Sequence, residues 1–416
     1  MKKNLRQLIA VTLSTVAVFS TLAGCGSKTA QSNSDGKIQI EFLQYKPEAK
    51  GTFDKLIAKF EAENPNIKVV QTNTPDTATV LRTRVAKKDV PDVVAVGADT
   101  TFADVSKAGV FEDLSNSSQI KNIQPAYVQM VKDVAESDKV YAIPYAANGV
   151  GVIYNKKMFT ELGLTVPKTW DEFLAVADKI KAAGKVPFYL TLKDAWTTLP
   201  PVNVLVGNTQ GDTFFADRAA GKTTFKEKYK EAADKYLKLT EYGQSDIFGK
   251  TYSDGNVAFA KGESVMYLQG IWALAEIKKA NPDVDLGVFP LPATNDPSKT
   301  KVVSGVDLLL SLSKTSKHPE EAKKFIDFLL KEETAKTYIN EQKCFSAITG
   351  ITQEDSALSG LKESFEKGAL VDFPDHRIPP ALSIDRELQT LVKSKDVDKF
   401  LTNLDQQWDS LQSRKK

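Results

Sequence analysis

Pro91-Asp92-Val93-Val94-Ala95-Val96 places four apolar residues in a row behind a Pro-Asp pair. A short continuous apolar run of this kind marks a strand covered on both faces, as in a parallel sheet. Upstream, Ile38-Gln39-Ile40-Glu41-Phe42-Leu43 alternates and reads as a first strand. Leu56, Ile57 and Phe60 then share one helical face, and Asn64-Pro65 stops that helix. Ile67 to Val70 is strand-like and Val80 to Ala86 helical. Downstream, Val150 to Tyr154 reads as a strand, and Thr169-Trp170-Asp171-Glu172 is a capping box. The helix it opens carries Phe173, Val176, Ala177 and Ile180 on one face and closes at Gly184. Pro292 to Thr300 is rich in turn formers, followed by Val302-Val303 and the apolar Val306 to Leu312. Pro319 opens another helix at its first position, with Ala322, Phe325, Ile326, Leu329 and Leu330 on its buried face. Strands alternating with helices predict an α/β chain with largely parallel sheets and no solenoid repeat.

The length of 416 residues suggests two domains rather than one core. Lys+Arg at 55 against Asp+Glu at 53 leaves no basic excess for phosphates, so nucleic acid is not a partner. The amino terminus is distinctive. Lys2, Lys3 and Arg6 precede an apolar run from Leu8 to Phe19, and Leu22-Ala23-Gly24-Cys25 ends it. That order reads as an export signal over residues 1–24, and its last four residues resemble the lipobox of bacterial lipoproteins. The resemblance implies cleavage before Cys25 and lipidation of that cysteine. The expected mature chain has 52 basic and 53 acidic residues, net −1. Residues 25–36 then form a lipidated cysteine and a polar tether. Several lipid chains would hold the protein on the outer face of the cell membrane, where one chain binds only marginally. With Cys25 so used, Cys344 has no disulfide partner and reads as a packed thiol.

Catalytic and cofactor signatures are missing. Gly221-Lys222-Thr223 and Gly249-Lys250-Thr251 would end phosphate-binding loops, but Ala216 and Gln244 stand where the first glycine is needed. No Gly-x-Ser-x-Gly elbow occurs, and the two histidines, His318 and His376, are far apart. No metal, no cofactor and no enzyme activity are expected. Two tryptophans stand out instead. Trp196 follows the run Phe188 to Leu192, and Trp272 follows Val265 to Leu268. Indoles suit the apolar faces of sugars, and Asp, Asn and Gln suit hydroxyls. Strand-end placement favours a binding site; packing in the core is the alternative.

An ordered series of motifs carries a family resemblance. Pro91-Asp92-Val93-Val94 leads to Gly109-Val110-Phe111-Glu112-Asp113-Leu114. Val140-Tyr141-Ala142-Ile143-Pro144-Tyr145 continues through Gly151 to Tyr154-Asn155-Lys156-Lys157-Met158-Phe159. Pro167-Lys168-Thr169-Trp170-Asp171-Glu172-Phe173 comes next. Phe259-Ala260-Lys261-Gly262-Glu263 precedes Met266 and Gly270-Ile271-Trp272. His318-Pro319-Glu320-Glu321-Ala322 with Phe325-Ile326 completes the set. Over nearly the whole mature chain this is similar to the extracellular solute-binding proteins of ABC sugar importers, the maltose-binding-protein-like family, and within it the multiple-sugar and raffinose type.

The resemblance implies a two-lobe α/β fold with a hinge of crossing strands and a central ligand cleft. Crossings are expected near 146–149, 303–306 and 347–350. The N-lobe is then 37–146 plus 306–347, and the C-lobe 149–303 plus 350–416. Position by position, it implies ligand contacts from Trp272, the stacking indole; Asn148 at the hinge; Asp99; Asp194 and Trp196; Gln44 and Tyr45 after the first strand; Tyr145; and Asp307. Arg377 falls where relatives often supply an aromatic, and this sequence departs there. The implied function is capture of a carbohydrate, expected to be an oligosaccharide, by lobe closure, with delivery to an ABC permease by a monomeric lipoprotein. A polyol or glycerol-phosphate-type ligand is the alternative within the binding class. A surface glycoside hydrolase and a purely structural lipoprotein are alternatives outside it.

Overall fold

The computed structural model describes residues 36–74 and 76–413; the export signal, Cys25 and the tether up to residue 35 lie outside them. The described strands are β1 (Ile38–Gln44), β2 (Ile67–Thr72), β3 (Val93–Val96), β4 (Ile143–Asn155), β5 (Met266–Gly270), β6 (Leu286–Phe289), β7 (Val302–Leu312), β8 (Phe345–Ser346) and β9 (Leu370–Val371). The first lobe begins as the pattern dictates. β1 is followed by α1 (Lys50–Glu63), whose buried face is Phe53, Leu56, Ile57 and Phe60, and which ends at Asn64. β2 pairs parallel to β1, and β3 lies parallel on its other side with all four residues buried.

The expectation of largely parallel sheets is corrected. β7 returns antiparallel to β3, and β4 runs antiparallel to β5, β6, β7 and β8. Among the described strand pairs, β1–β2, β1–β3 and β7–β9 are the parallel ones. The cause is the path of two long strands. In β4, Ile143 to Gly149 pair with β7, and Val150 to Asn155 pair with β5 and β6. In β7, Val302-Val303 pair with β9, and Leu309 to Leu312 with β3. Each strand therefore hydrogen-bonds into both halves of the molecule.

Of two apolar clusters, the first runs from β1–β3 through the junction to Phe259, Tyr267, Leu274 and Ile277, and the second gathers around Phe173, Phe225 and Trp408. Around β1, the rings of Phe42, Phe53, Phe60 and Phe325 interlock at centroid distances of 4.9 to 5.2 Å. Truncating such a fully buried Phe costs about 3–5 kcal/mol. In the other half, Phe214, Phe225, Tyr229 and Trp408 form a second aromatic group. Its helix Trp170–Ala182 has the capping box read from sequence, and Gly184 beyond its end takes φ +72°. The helix Pro319–Leu329 buries Ala322, Phe325, Ile326 and Leu329 as its spacing required. One strand reading fails: Phe188 to Leu192 makes only bridges, at Phe188 to Gly243 and Met266, so Trp196 does not follow a strand.

Candidate functional site

The crossing of β4 and β7 forms the floor of the cleft. Asn148 pairs with Gly305 in register, and opposed residues of an antiparallel ladder present their side chains to one face. Asp307 lies two residues further along β7, at the register shift opposite Ala146 and Ala147. Asn148 is 5% exposed, and its Oδ1 is buried with no hydrogen-bond partner. An unpaired buried carbonyl is costly, so this atom is one a ligand can satisfy.

On the first-lobe bank, the loop after β1 is tied to the floor. Tyr45 Oη donates to Asp307, at 2.9 Å to its backbone O and 3.0 Å to Oδ1. Burial, reinforced by the Asp307 carboxylate, pushes this phenol well up. Lys46, with a side chain only 4% exposed, reaches Asp307 Oδ2 at 2.5 Å and Glu48 at 3.4 Å. Burial opposes its charge, but the two carboxylates win and hold the ammonium above its usual value. Asp99 caps the helix Thr100–Lys107, its Oδ1 accepting from Thr101 N at 2.8 Å and Phe102 N at 3.1 Å. A Cβ on Gly97 would lie 3.6 Å from Tyr45 Oη and 3.8 Å from Asp99 Oδ2, so both groups border the space over Gly97. Tyr45, Asp99, Gly97 and Asp76 line a cavity of about 200 Å³. Gln44 and Tyr145 lie elsewhere. Gln44 is sealed, with Nε2 donating to Gln71 and Oε1 accepting from Lys46 N, so it braces the loop instead of facing the cleft. Tyr145 is a core ring, 1% exposed and 5.0 Å from Tyr338.

On the second-lobe bank, Trp272 is half-buried at the N-terminal end of the helix Ala273–Ala280 and touches both apolar clusters. Its indole folds back over Gly270, where a Cβ would come within 2.0 Å of the ring. Trp196 is 38% exposed and rests on Tyr252, centroids 4.9 Å apart. Asp194 Oδ2 accepts from Tyr252 N at 2.7 Å, fixing the start of the helix Tyr252–Ala260. Above all burial holds the Tyr252 phenol up; Glu48 and Lys46 of the opposite bank are close enough to act on it as well. Tyr252 therefore stands where the banks meet.

A second and larger cavity, about 900 Å³, opens between the two halves. Its first-lobe wall is the helices Thr100–Lys107 and Pro125–Ala135, including Asp104, Lys107 and Gln129; its other wall is residues 372 to 380. Arg377 is on that wall, exposed, with Nε 3.9 Å from Asp372. Phe373 lies four residues before Arg377 and outside the lining of that cavity. Phe373 stacks on His376 at 4.9 Å and 17°. Burial raises the Asp372 carboxyl above its ordinary value, against the pull of His376 and Arg377. Asp372, Phe373, His376, Lys46 and Tyr252 escaped the sequence reading. Lys46 directly follows a residue that was singled out; residues 372–377 belong to no long element and reach Gly305 just after β9 pairs with β7.

Two banks, a floor of shared strands and an unpaired polar atom at the junction define a two-lobe binding protein. Its family follows from comparison with known proteins: the pattern of the bacterial extracellular solute-binding proteins matches residues 46–336, and the chain belongs to that family. It is 33% identical over 348 residues to the multiple sugar-binding protein of Streptococcus mutans, covering 81% of each chain. It is 24% identical to the melibiose/raffinose/stachyose-binding protein of Bacillus subtilis over 80% of each. Among solved structures, the solute-binding protein RafE in complex with raffinose superposes with TM-score 0.78 at 30% identity, covering 89% of this chain and 98% of that one. Apo RafE from Streptococcus pneumoniae gives 0.75, also at 30% identity, over 90% and 98%. Members of this family bind solutes for transport and are not enzymes, which sets the glycoside hydrolase alternative aside.

Proposed function

We propose that this chain captures an oligosaccharide in the cleft and presents it, with the lobes closed, to the permease of an ABC importer. The likeness to a protein solved with raffinose, over 98% of that protein's chain, carries the reading. An interlobe cavity of about 900 Å³, lined among the proposed contacts by Arg377, lies at the upper end of the roughly 300–1,000 Å³ common for small-molecule sites, and Tyr45 and Asp99 line the smaller one of about 200 Å³. The contacts would come from Trp272 and Trp196 as apolar platforms and from Asn148, Asp99, Tyr45 and Asp307 as hydroxyl partners, with Asp194 and Arg377 at the edges. Gln44 and Tyr145 would support the loop and the core. A phosphorylated ligand fits less well, because Lys107 is paired with Glu136 at 2.9 Å and Arg377 faces Asp372.

The lobes are proposed as 37–146 plus 306–347 and 149–303 plus 350–416, since β4 and β7 change partners within those limits. Ligand shifts the open–closed balance only by its greater affinity for the closed form. Cleavage before Cys25 and lipid on that cysteine would hold a monomer at the outer membrane face. Among the described residues no helix is long and apolar enough to cross a membrane.

A thermal-shift screen tests the ligand. Raffinose, stachyose, xylo- and chito-oligosaccharides and glycerol 3-phosphate are the panel. A raised Tm with one or more of the oligosaccharides is expected, because a ligand that binds only the native state stabilises it. A response to glycerol 3-phosphate alone would overturn the carbohydrate reading. Cys25→Ser should release the protein from cells into the medium.

A further inference from the structure

A cavity of about 230 Å³ opens between the 3₁₀ turn Gln119–Asn122, the end of the helix Pro319–Leu329 and Ile348. It shares no lining residue with the cavities of about 900 and 200 Å³ at the cleft. Its two sides are fixed to each other, since Ile123 bridges Ile348 and Asn122 O accepts from Thr349 N at 2.8 Å. Gln119 is its buried polar wall, 8% exposed. Gln119 Nε2 donates to Asp327 Oδ1 at 2.5 Å. An ionised carboxylate only accepts, so this bond fixes which way the amide faces. Gln119 Oε1, on the other side of the amide, is buried with no hydrogen-bond partner. Leaving a buried acceptor unsatisfied is costly, and a polar opening beside it is where a donor can enter. Asp327 is exposed at the mouth, and among the described residues no lysine or arginine is paired with it; Lys331, one turn on, reaches Glu63 at 2.9 Å instead. The rest of the lining divides in two. Ser118 and Asn122 bring oxygens to the rim, while Ile123, Leu330 and Ile348 bring alkyl surface.

We infer that this cavity is a second binding site, for a primary ammonium group on a short apolar stem. An ammonium carries three donors and no acceptor. Gln119 Oε1, Asp327 Oδ2 and the rim oxygens are acceptors to meet them, and the aliphatic side chains receive the stem. Charge decides against a neutral alcohol, which would leave Asp327 without a counter-charge. Donor count decides against a metal ion. Calcium takes about six to eight oxygens, carboxylates prominent among them, and this wall holds one carboxylate; no group of three metal-binding side chains gathers among the described residues. Size decides against an oligosaccharide, because about 230 Å³ falls below the roughly 300–1,000 Å³ of common small-molecule sites. The inference does not rest on the carbohydrate reading.

The test is titration calorimetry of the full chain with n-pentylammonium chloride, beside tetramethylammonium chloride, n-pentanol and calcium chloride. Pentylammonium should bind one to one. Tetramethylammonium, which has the charge without N–H donors, and pentanol, which has the stem without the charge, should each bind about 10-fold more weakly or worse. Gln119→Leu and Asp327→Asn should each weaken pentylammonium by about 10-fold or more, the loss expected of a hydrogen bond to a charged group. Both variants should keep urea midpoints close to wild type, since Leu removes the orphaned oxygen and Asp327 faces water. Pentylammonium bound equally well by both folded variants overturns the site and marks an adventitious surface contact. Tetramethylammonium or pentanol bound as tightly as the amine overturns the ammonium assignment. Calcium raising the Tm where the amine does not makes the cavity a metal site instead. No saturable binding by the wild type at millimolar amine overturns the inference outright and leaves the carbohydrate reading untouched.

Discussion

Lys46→Met tests the tie between the first bank and the floor. In the wild type the Lys46 and Asp307 side chains are 4% and 6% exposed, with the ammonium 2.5 Å from the carboxylate. Removing one member of a buried pair leaves the other charged and desolvated, at about 3–5 kcal/mol. Asp307 keeps one donor, the Tyr45 hydroxyl, so the expected loss is at the lower end, about 3 kcal/mol. Against a total of roughly 5–15 kcal/mol for a folded domain, that is a large fraction. Urea unfolding followed by circular dichroism should show the midpoint falling by about 1 M or more, taking a slope of ~1–3 kcal/mol/M. The double variant Lys46→Met with Asp307→Leu should cost much less than the sum of its parts. Tyr45 would still donate to the backbone carbonyl of residue 307, and apolar replacement of a whole buried pair is often neutral. Because the Lys46 ammonium titrates above its ordinary value, its contribution is fully present below about pH 10.4 and is lost only as pH rises through the higher folded value. The deficit of Lys46→Met should therefore be constant from pH 6 to 9. A loss under about 1 kcal/mol, or strictly additive single variants, would refute the pairing argument.

Trp272→Ala should weaken sugar binding by about 10-fold or more, and Gly270→Ala should do the same by displacing the indole that lies over it; calorimetry reads both, and unchanged affinity in both removes Trp272 from the site. Asp372 has its folded carboxyl raised mainly by burial, so the stability it lends is present at low pH and lost as pH rises through the folded value. Asp372→Asn should thus leave neutral-pH stability equal or higher and flatten the Tm profile above pH 4, while lowering ligand affinity; a Tm drop of more than a few degrees at pH 7 would contradict this. Cys344 is fully buried, and burial pushes its thiol far up. Iodoacetamide should leave it untouched in the native protein and label it only with urea-induced unfolding, as mass spectrometry would show.

Local pattern carried most of the elements. The capping box at Thr169, the proline at 319 and the alternation from Ile38 each act within a few residues, and each appears where its spacing places it. Strand direction was not legible in the same way. Val93 to Val96 is buried as a parallel strand would be, yet one neighbour is parallel β1 and the other antiparallel β7, more than two hundred residues away. Burial on both faces does not reveal direction. At the site, the expectations for Asn148, Asp99, Gln44 and Tyr145 came from the family resemblance, which gives a place along the chain but not the way a side chain turns: Asn148 lies where β4 pairs with β7 and Asp99 at a helix start, while Gln44 and Tyr145 are sealed in packing. Phe373 and His376 escaped because a short 3₁₀ turn has no period, and only the fold lays Phe373 against Gly305.

The late arrival of β7 has a consequence for the life of the polypeptide. Until Leu309 to Leu312 emerge, β3 has an open ladder on one side, and β4 lacks the partner that fixes its first seven residues. Neither half can finish before the other has contributed, so a nascent or translocating segment stays loosely collapsed. Long sequence separation slows closure of such pairings. That delay leaves the final packing of both halves to the time when the whole length of the chain is available.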